Sequence, residues 1–413
     1  MPTRHCDGII CFGGEDWWYH NRGHYDIQIM RRMSHRTPVL FINSIGVRMP
    51  RLGEGSMFVK RVKRKLASLR RGLVEVEPGF WVMSPISVPG RLGQRLSKHL
   101  LKSQVRMAAR RIGIKQPLLW VHCPPAADLV DQFDHQALVF QRTDRFEAFP
   151  EGNHGELLRQ VTAMRERADL TVFCSHELLS QEGHLCRQAA FVDHGVDYHR
   201  FASAGEERGA EPGDLVGIAH PRVGFIGGID DHTFDPALFL RVAKALPDVN
   251  FVLVGACSLP QDWCTLANVH MIGRKPYDEV ARYMAACDVL MMPWNDGEWI
   301  RACNPVKLKE YLAVGRPVVS TSFPELDYYA DHVEIADDAE TFARKIVQAL
   351  NSSYGSAQRR ARVAPETWSA KVDKLVDCLA AQGIHLGSRE DKAPQQVGPE
   401  QVVHSKAAKC SVA

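Results

Sequence analysis

The sequence predicts an α/β protein of two doubly wound domains facing each other across a cleft, and three observations carry that prediction. Apolar, β-branched runs alternate with amphipathic helical stretches, a pattern that calls for parallel sheets covered by helices. The alternation stops once, at the acidic, Gly- and Pro-rich stretch from Ser203 to Pro221, and then restarts. At 413 residues the chain is long enough for two separate cores.

In the first half, strands are expected at Gly8 to Phe12, Val39 to Asn43, Leu118 to His122, Ala137 to Gln141, Leu170 to Cys174 and Ala189 to Val192. Helices are expected at Tyr25 to Met33, Leu96 to Ile112, Pro125 to Asp131 and Gly155 to Ala168. After the break, "RVGFIGG" reads as a strand entering a Gly-Gly loop, followed by a helix at Pro236 to Ala245 and the strand "NFVLVGA". A short strand at Val269 to Ile272, a helix at Tyr277 to Ala286 and the strand "DVLMMPW" come next. Beyond them, a brief strand at Glu334 to Ile335 and helices at Ala339 to Leu350 and Thr367 to Ala381 complete a second α/β unit. The boundaries expected are an N-terminal domain over 1–203, a linker over 204–220 and a C-terminal domain over 221–385, whose last helix is able to pack back on the first domain. The remainder, 386–413, is polar and without hydrophobic period, and reads as a disordered tail.

The composition, 45% apolar and 24% charged, is that of a soluble globular protein. No run approaches the ~18 apolar residues of a spanning helix. The start, "MPTRHCDGIICFGG", lacks a signal-peptide pattern, so the expected compartment is the cytoplasm. The 11 cysteines are scattered, with no C-x-x-C and no zinc spacing, as suits reduced core thiols; no metal is expected.

The net charge of +3 conceals an asymmetry. Between Arg51 and Arg111 there are fifteen Lys or Arg against three Glu, which leaves the rest of the chain net negative. In "FVKRVKRKLASLRR", Phe58, Val62, Leu66 and Leu69 share a helical stripe, while Lys60, Arg61, Lys63, Arg64, Lys65, Arg70 and Arg71 fall mostly elsewhere. Such a helix either lies on an anionic membrane surface or packs its stripe on the core with a solvated basic side. Nucleic acid is not an expected partner, because no binding motif accompanies the charge.

The stretch "NPVKLKEYLAVGRPVVST" has the grammar of a helix leading straight into a buried strand. Asn304 is placed as N-cap, Pro305 as first helical residue and Gly315 as the left-handed end. Free amides at a helix start, with Lys307 beside them, suit a phosphate. Glu310, one turn on, suits sugar hydroxyls. Taken alone, the two charges read better as an exposed i, i+3 pair.

Taken in order, "RVGFIGG", "NFVLVGA", "NVHMIGRKPYDEVARYMAACDVLMMPW" and "NPVKLKEYLAVGRPVVST" resemble the donor-binding half of GT-B glycosyltransferases similar to family 4 (group 1). "VFQRTDRFEAFPEG", "ADLTVFCSHELLSQEG" and "VDHGVDYHRF" are similar to segments of a bacterial teichuronic acid and exopolysaccharide subset. The likeness covers roughly residues 5–385. It implies a GT-B fold of two Rossmann-like domains. It also implies transfer of a sugar from a nucleoside diphosphate sugar to a lipid-linked or polysaccharide acceptor at the cytoplasmic membrane face, with retention of configuration and no cofactor.

By the same resemblance, Glu310 binds the ribose, and Lys307 faces the diphosphate together with the helix start at Asn304 to Val306, whose free amides point to the same phosphates while Pro305 shapes the turn. Gly227 and Gly228 let the backbone approach the donor, and the base lies against Met271 to Gly273 with Arg274 near the phosphates. Two departures stand out. Ala302 occupies the place of a second glutamate, and Asp230 and Asp231 replace basic residues after the Gly loop; Asn295 to Glu298 are candidates to substitute as sugar contacts. On the acceptor side, Asp144 and Glu147 follow a strand end, where one carboxylate is able to act as base or simply bind the acceptor. His122 and His194 also end strands, where each is able to hydrogen-bond the donor sugar or phosphate or to be structural; His122 is the catalytic candidate, and His194 reads better as structural. Trp17, Trp18, His20 and Arg22 form a candidate acceptor wall, or one tryptophan packs into the core. Two other readings remain at this level: a nonhydrolysing sugar-nucleotide epimerase of the same fold, and a noncatalytic membrane-associated scaffold.

Overall fold

The computed structural model describes residues 3–19, 23–44, 68, 70–86, 91–149, 152–207, 209, 211–352 and 355–387. His20, Arg22, Lys60, Arg61, Lys63, Arg64, Lys65 and the segment 388–413 lie outside the described residues. Strand β1 is Arg4–Cys6, β2 Gly8–Phe12, β3 Val39–Ile42, β4 Leu73–Glu77, β5 Phe80–Met83, β6 Pro117–Val121, β7 Ala137–Arg142, β8 Leu170–Phe173 and β9 Ala189–Phe191. The N-terminal sheet has the order β4-β5-β3-β2-β6-β7-β8-β9, parallel except for the β4–β5 pair. Its central strands are buried along their whole length, as a sheet covered on both faces requires.

The second sheet contains β10 (Arg222–Ile226), β11 (Asn250–Val254), β12 (Val269–Met271), β13 (Val289–Met292), β14 (Val318–Ser320) and β15 (Glu334–Ile335). They run parallel in the order β12-β11-β10-β13-β14-β15. In both sheets the strand order reverses beside the first core strand, between β2 and β6 and between β10 and β13. Ligands of open α/β sheets bind outside the carboxyl ends of the strands at such reversals. The residues that follow those strand ends are therefore where a site is to be sought.

The chain returns to its beginning. Helix Trp368–Ala381 places Trp368, Val372, Leu375 and Leu379 in the apolar cluster of the first domain, and β16 (Ile384–Leu386) pairs with β1. The segment expected as a free linker is a packed strap. Helix Tyr198–Glu206 runs through the expected boundary and lies against helix Val306–Val314 so closely that a Cβ on Gly205 would stand 2.0 Å from the Val314 carbonyl oxygen. Leu215 is fully buried in the second core, and Asp214 accepts a hydrogen bond from Tyr283 Oη at 2.8 Å. Burial of Leu215 ties down a stretch whose composition reads as flexible. Among the described residues, no helix is long and apolar enough to cross a membrane.

Candidate functional site

The second sheet's reversal point is occupied by Lys307. Its Nζ lies 4.3 Å from the centroid of Phe225 and 5.4 Å from that of Trp294, without a carboxylate partner among the described residues. Gly227, directly after β10, makes the room: a Cβ there would stand 2.0 Å from the ammonium. Burial pushes the Lys307 amine down to about 8, with the charge of Glu310 opposing the shift. An ammonium seated on ring faces is held by cation–π attraction, which leaves its hydrogen-bonding capacity free for an anion.

Glu310 follows one turn along the same helix and is 7% exposed. It accepts a hydrogen bond from Tyr277 Oη at 3.2 Å. Burial raises its carboxyl to about 7, against the Tyr277 hydrogen bond and the Lys307 charge. The lining continues backward through the glycines. A Cβ on Gly255 would stand 1.7 Å from the Gly227 carbonyl oxygen, and Gly255 N donates to the Gly273 carbonyl at 3.0 Å. Gly273 has φ 78°, a conformation glycine adopts without strain. Met271, 43% exposed, and Arg274, also exposed, stand on this edge. Gly228 completes the turn and points its hydrogen toward Asp230, whose carboxylate braces the loop through His232 N and Thr233.

The helix begins differently from the expectation. Pro305 is the N-cap, Val306 is the first helical residue and Lys307 the second. Asn304 does not cap with its side chain: its Nδ2 donates to Glu325 Oε1 at 3.0 Å, and Glu325 also receives His176 N and Nδ1 from the first domain. The bond to the Glu325 carboxylate, a charged acceptor, commits the Asn304 side chain to that partner, and no helix amide is capped by it.

At the first sheet's reversal point, His122 follows β6. It is 8% exposed, packs edge-on to Phe146 at 5.9 Å, and crowds Gly14, where a Cβ would stand 2.6 Å from its ring. Asp144 is half-buried nearby; burial raises its carboxyl, with the charge of His122 opposing. Glu147, expected as a candidate base, has a structural part instead. It is 8% exposed and holds Arg142 in a two-pronged ion pair, at 2.7 and 3.0 Å, while Glu182 takes the other side of the same guanidinium. Arg142 keeps the Glu147 carboxyl below its ordinary value despite burial, so it is a poor proton acceptor.

Of the expected acceptor wall, Trp17 belongs to the core: it is 3% exposed and packs edge-on to Phe80 at 5.2 Å. The large apolar ring gains more from burial than from the surface. Trp18 is half-buried, with the Arg71 guanidinium over its ring at 4.2 Å. His194 is structural, edge-on to Tyr25 and Trp368, and pushed down to about 3 by burial and the charge of Lys309. Of the residues proposed as substitute sugar contacts, Asn295 braces the loop through the His232 carbonyl at 2.7 Å, and Glu298 reaches across the cleft to Arg145 at 3.1 Å. Ala302, where a second glutamate was looked for, is 1% exposed and packs on Phe173 and Leu178 of the first domain. Among the described residues, no three His, Cys, Asp or Glu come together as metal ligands would.

Sequence reasoning missed Lys309. Its ammonium is 1% exposed and is gripped by Asp193, the His194 carbonyl and Glu366, with Lys371 sharing both acids. No signal in the sequence joins residues so far apart.

With this geometry in place, the family comparison decides. Residues 220–352 match the profile of the family described as "Glycosyl transferases group 1". Over those residues the chain is similar to group 1 glycosyltransferases. That match covers the whole wall of Lys307, Glu310, Gly227 and Gly273. A second similarity is to TuaH of Bacillus subtilis (strain 168), named as a glycosyltransferase of teichuronic acid biosynthesis, at 28% identity over 191 residues. It spans 45% of this chain and 42% of TuaH, less than half of either.

Solved structures share the fold across nearly the whole chain. Sucrose-phosphate synthase of Thermosynechococcus elongatus has 14% identity and a TM-score of 0.67, covering 91% of this chain and 98% of that one. Anabaena HepE, solved in complex with UDP, has 14% identity and a TM-score of 0.62, covering 92% and 100%. The architecture of the chain is accordingly GT-B, with two Rossmann-like domains.

Proposed function

We propose that the protein transfers a hexosyl group from a UDP-sugar to a lipid-linked or growing polysaccharide acceptor at the cytoplasmic face of the membrane. One observation carries the reading: among the described residues Lys307 has no carboxylate partner, and it stands at the reversal point of the family-matched domain, over a glycine, with Glu310 one turn behind it. In the reaction, the bond from the anomeric carbon to the diphosphate breaks, and the acceptor oxygen bonds to that carbon and gives up its proton. Lys307 and the Val306 and Lys307 amides stabilise the charge that gathers on the leaving diphosphate. Glu310 accepts the ribose hydroxyls. Asp144, on the opposite domain, takes or orients the acceptor's proton, a role its raised carboxyl suits.

HepE, complexed with UDP and glucose, and the name of TuaH support a UDP-sugar donor and a cell-surface polysaccharide product. Retention of configuration belongs to the same reading, as does a donor site that needs no cofactor. The basic run of Lys60, Arg61, Lys63, Arg64, Lys65, Arg70 and Arg71 in the sequence supplies the charge that would meet anionic lipid. The test is a donor screen. Nucleotide release from UDP- or GDP-sugars that requires added membrane lipid is the expected result. Isomerised donor without lipid would favour an epimerase, and absence of any nucleotide binding would sink both enzymes.

A further inference from the structure

A ladder of aromatic rings crosses the cleft. His122 meets Phe146 at 5.9 Å, Phe146 meets Phe149 at 6.4 Å, and Phe149 meets both His232 at 5.9 Å and Trp299 at 6.0 Å on the other domain. His232 and Trp299 are themselves 5.7 Å apart. Among the described residues, three ring nitrogens on this ladder are buried without a hydrogen-bond partner: His122 Nδ1, His232 Nε2 and Trp299 Nε1. Buried polar groups are nearly always paired, and leaving one unpaired costs about 1–3 kcal/mol. Three on one wall call for a ligand that brings several hydroxyls together with an apolar face.

The wall's place is equally specific. The His232 loop is joined to the Lys307 platform, because Phe234 bridges to Trp294 and Asn295 N donates to the Thr233 carbonyl at 3.0 Å. A diphosphate on Lys307 would thus lie beside the loop that carries His232. Arg145 and Glu298 close the rim from opposite domains.

From these observations we propose that Phe149, His232 and Trp299, with His122 at the inner end, form a pyranose subsite. The ring's C–H face stacks on the aromatics, and its hydroxyls pair with the orphaned nitrogens. This rests on the glycosyl-transfer reading above. It also supplies sugar contacts on a chain that has Ala302 in place of a glutamate. The pyranose is either the donor's own sugar or the acceptor's terminal one.

Calorimetry with UDP and with UDP-glucose, UDP-galactose and UDP-N-acetylglucosamine measures what the sugar adds to nucleotide affinity. Saturation-transfer NMR with the matching methyl glycosides, in the presence of UDP, reads the acceptor side. In Trp299→Ala and Phe149→Ala, one of the two is expected to fall roughly tenfold while affinity for UDP itself holds, and Trp299→Phe, which keeps the stacking face but lacks the ring nitrogen, is expected to restore it in part. Loss of the sugar's increment identifies the donor sugar; loss of the glycoside signal identifies the acceptor. Both readouts unchanged would overturn the subsite. So would a loss of UDP affinity by the same factor, since the rings would then only hold the domains together. If the unaltered protein binds no UDP, the donor reading fails, and the glycoside signal alone decides the subsite.

Discussion

Lys307 and Glu310 give the site a pH signature whose sign is fixed by their shifts. The Lys307 amine falls from 10.5 to about 8, so between those values the unfolded chain binds more protons and stability rises with pH. The Glu310 carboxyl rises from 4.5 to about 7, so across that window the folded chain binds more protons and stability falls as pH rises. Between about 7 and 8 both are charged and both cost the empty protein stability. That is the state a nucleotide diphosphate needs, and the thermal shift produced by UDP is expected to be largest there and to shrink on either side. A flat profile from pH 6 to 9 would contradict it. Replacing Glu310 by Ala removes a charged acceptor and is expected to lower nucleotide-dependent turnover about 10- to 100-fold with folding intact; unaltered turnover would move the ribose elsewhere. Glu147→Gln is expected to behave in the opposite way, costing about 1–3 kcal/mol of stability in denaturant titration while turnover stays within a few-fold. At this scale the sequence spoke clearly for Lys307 and Glu310, because helix-start chemistry is local. It could not separate Asp144 from Glu147, since the partner that engages Glu147, Arg142, lies within the neighbouring strand and reads there as an ordinary strand residue.

Among the elements, helix Val306–Val314 does several jobs at once. Its second residue offers the ammonium to the cleft, Lys309 anchors it to the first domain, and Gly315 ends it with φ 84°. Gly227 is what lets the lysine sit over Phe225. Gly227→Ala is expected to fold, because the clash is with the mobile end of Lys307, yet to weaken UDP binding about tenfold by displacing the ammonium. Unchanged affinity in a titration would show that the diphosphate does not lie there. The helix and most strands were legible from apolar runs and turn residues. The β4–β5 pair, the β1–β16 pair and helix Tyr198–Glu206 were not, because short edge strands and a helix with few apolar positions owe their form to what they pack against.

For the whole molecule, the two domains meet through a buried ion cluster in which Lys309 and Lys371 hold Asp193 and Glu366. Burial alone would raise the Asp193 carboxyl, but the two lysines bring it down to about 2. Asp193→Asn leaves two buried ammoniums short of a partner and is expected to cost about 3–5 kcal/mol of stability; a midpoint unchanged in denaturant would show the cluster to be dispensable. The α/β class and the doubling of the domain were readable from the alternation alone. The strap between the domains was not, since its Gly, Pro and acids describe a free linker until Leu215 is seen buried. The central claim is that a nucleoside diphosphate binds at the second sheet's reversal point through Lys307. Titration of UDP into the unaltered protein and into Lys307→Ala tests it most directly: binding weakened about 10- to 100-fold in the variant is the predicted result, and equal affinity in the two proteins would contradict it.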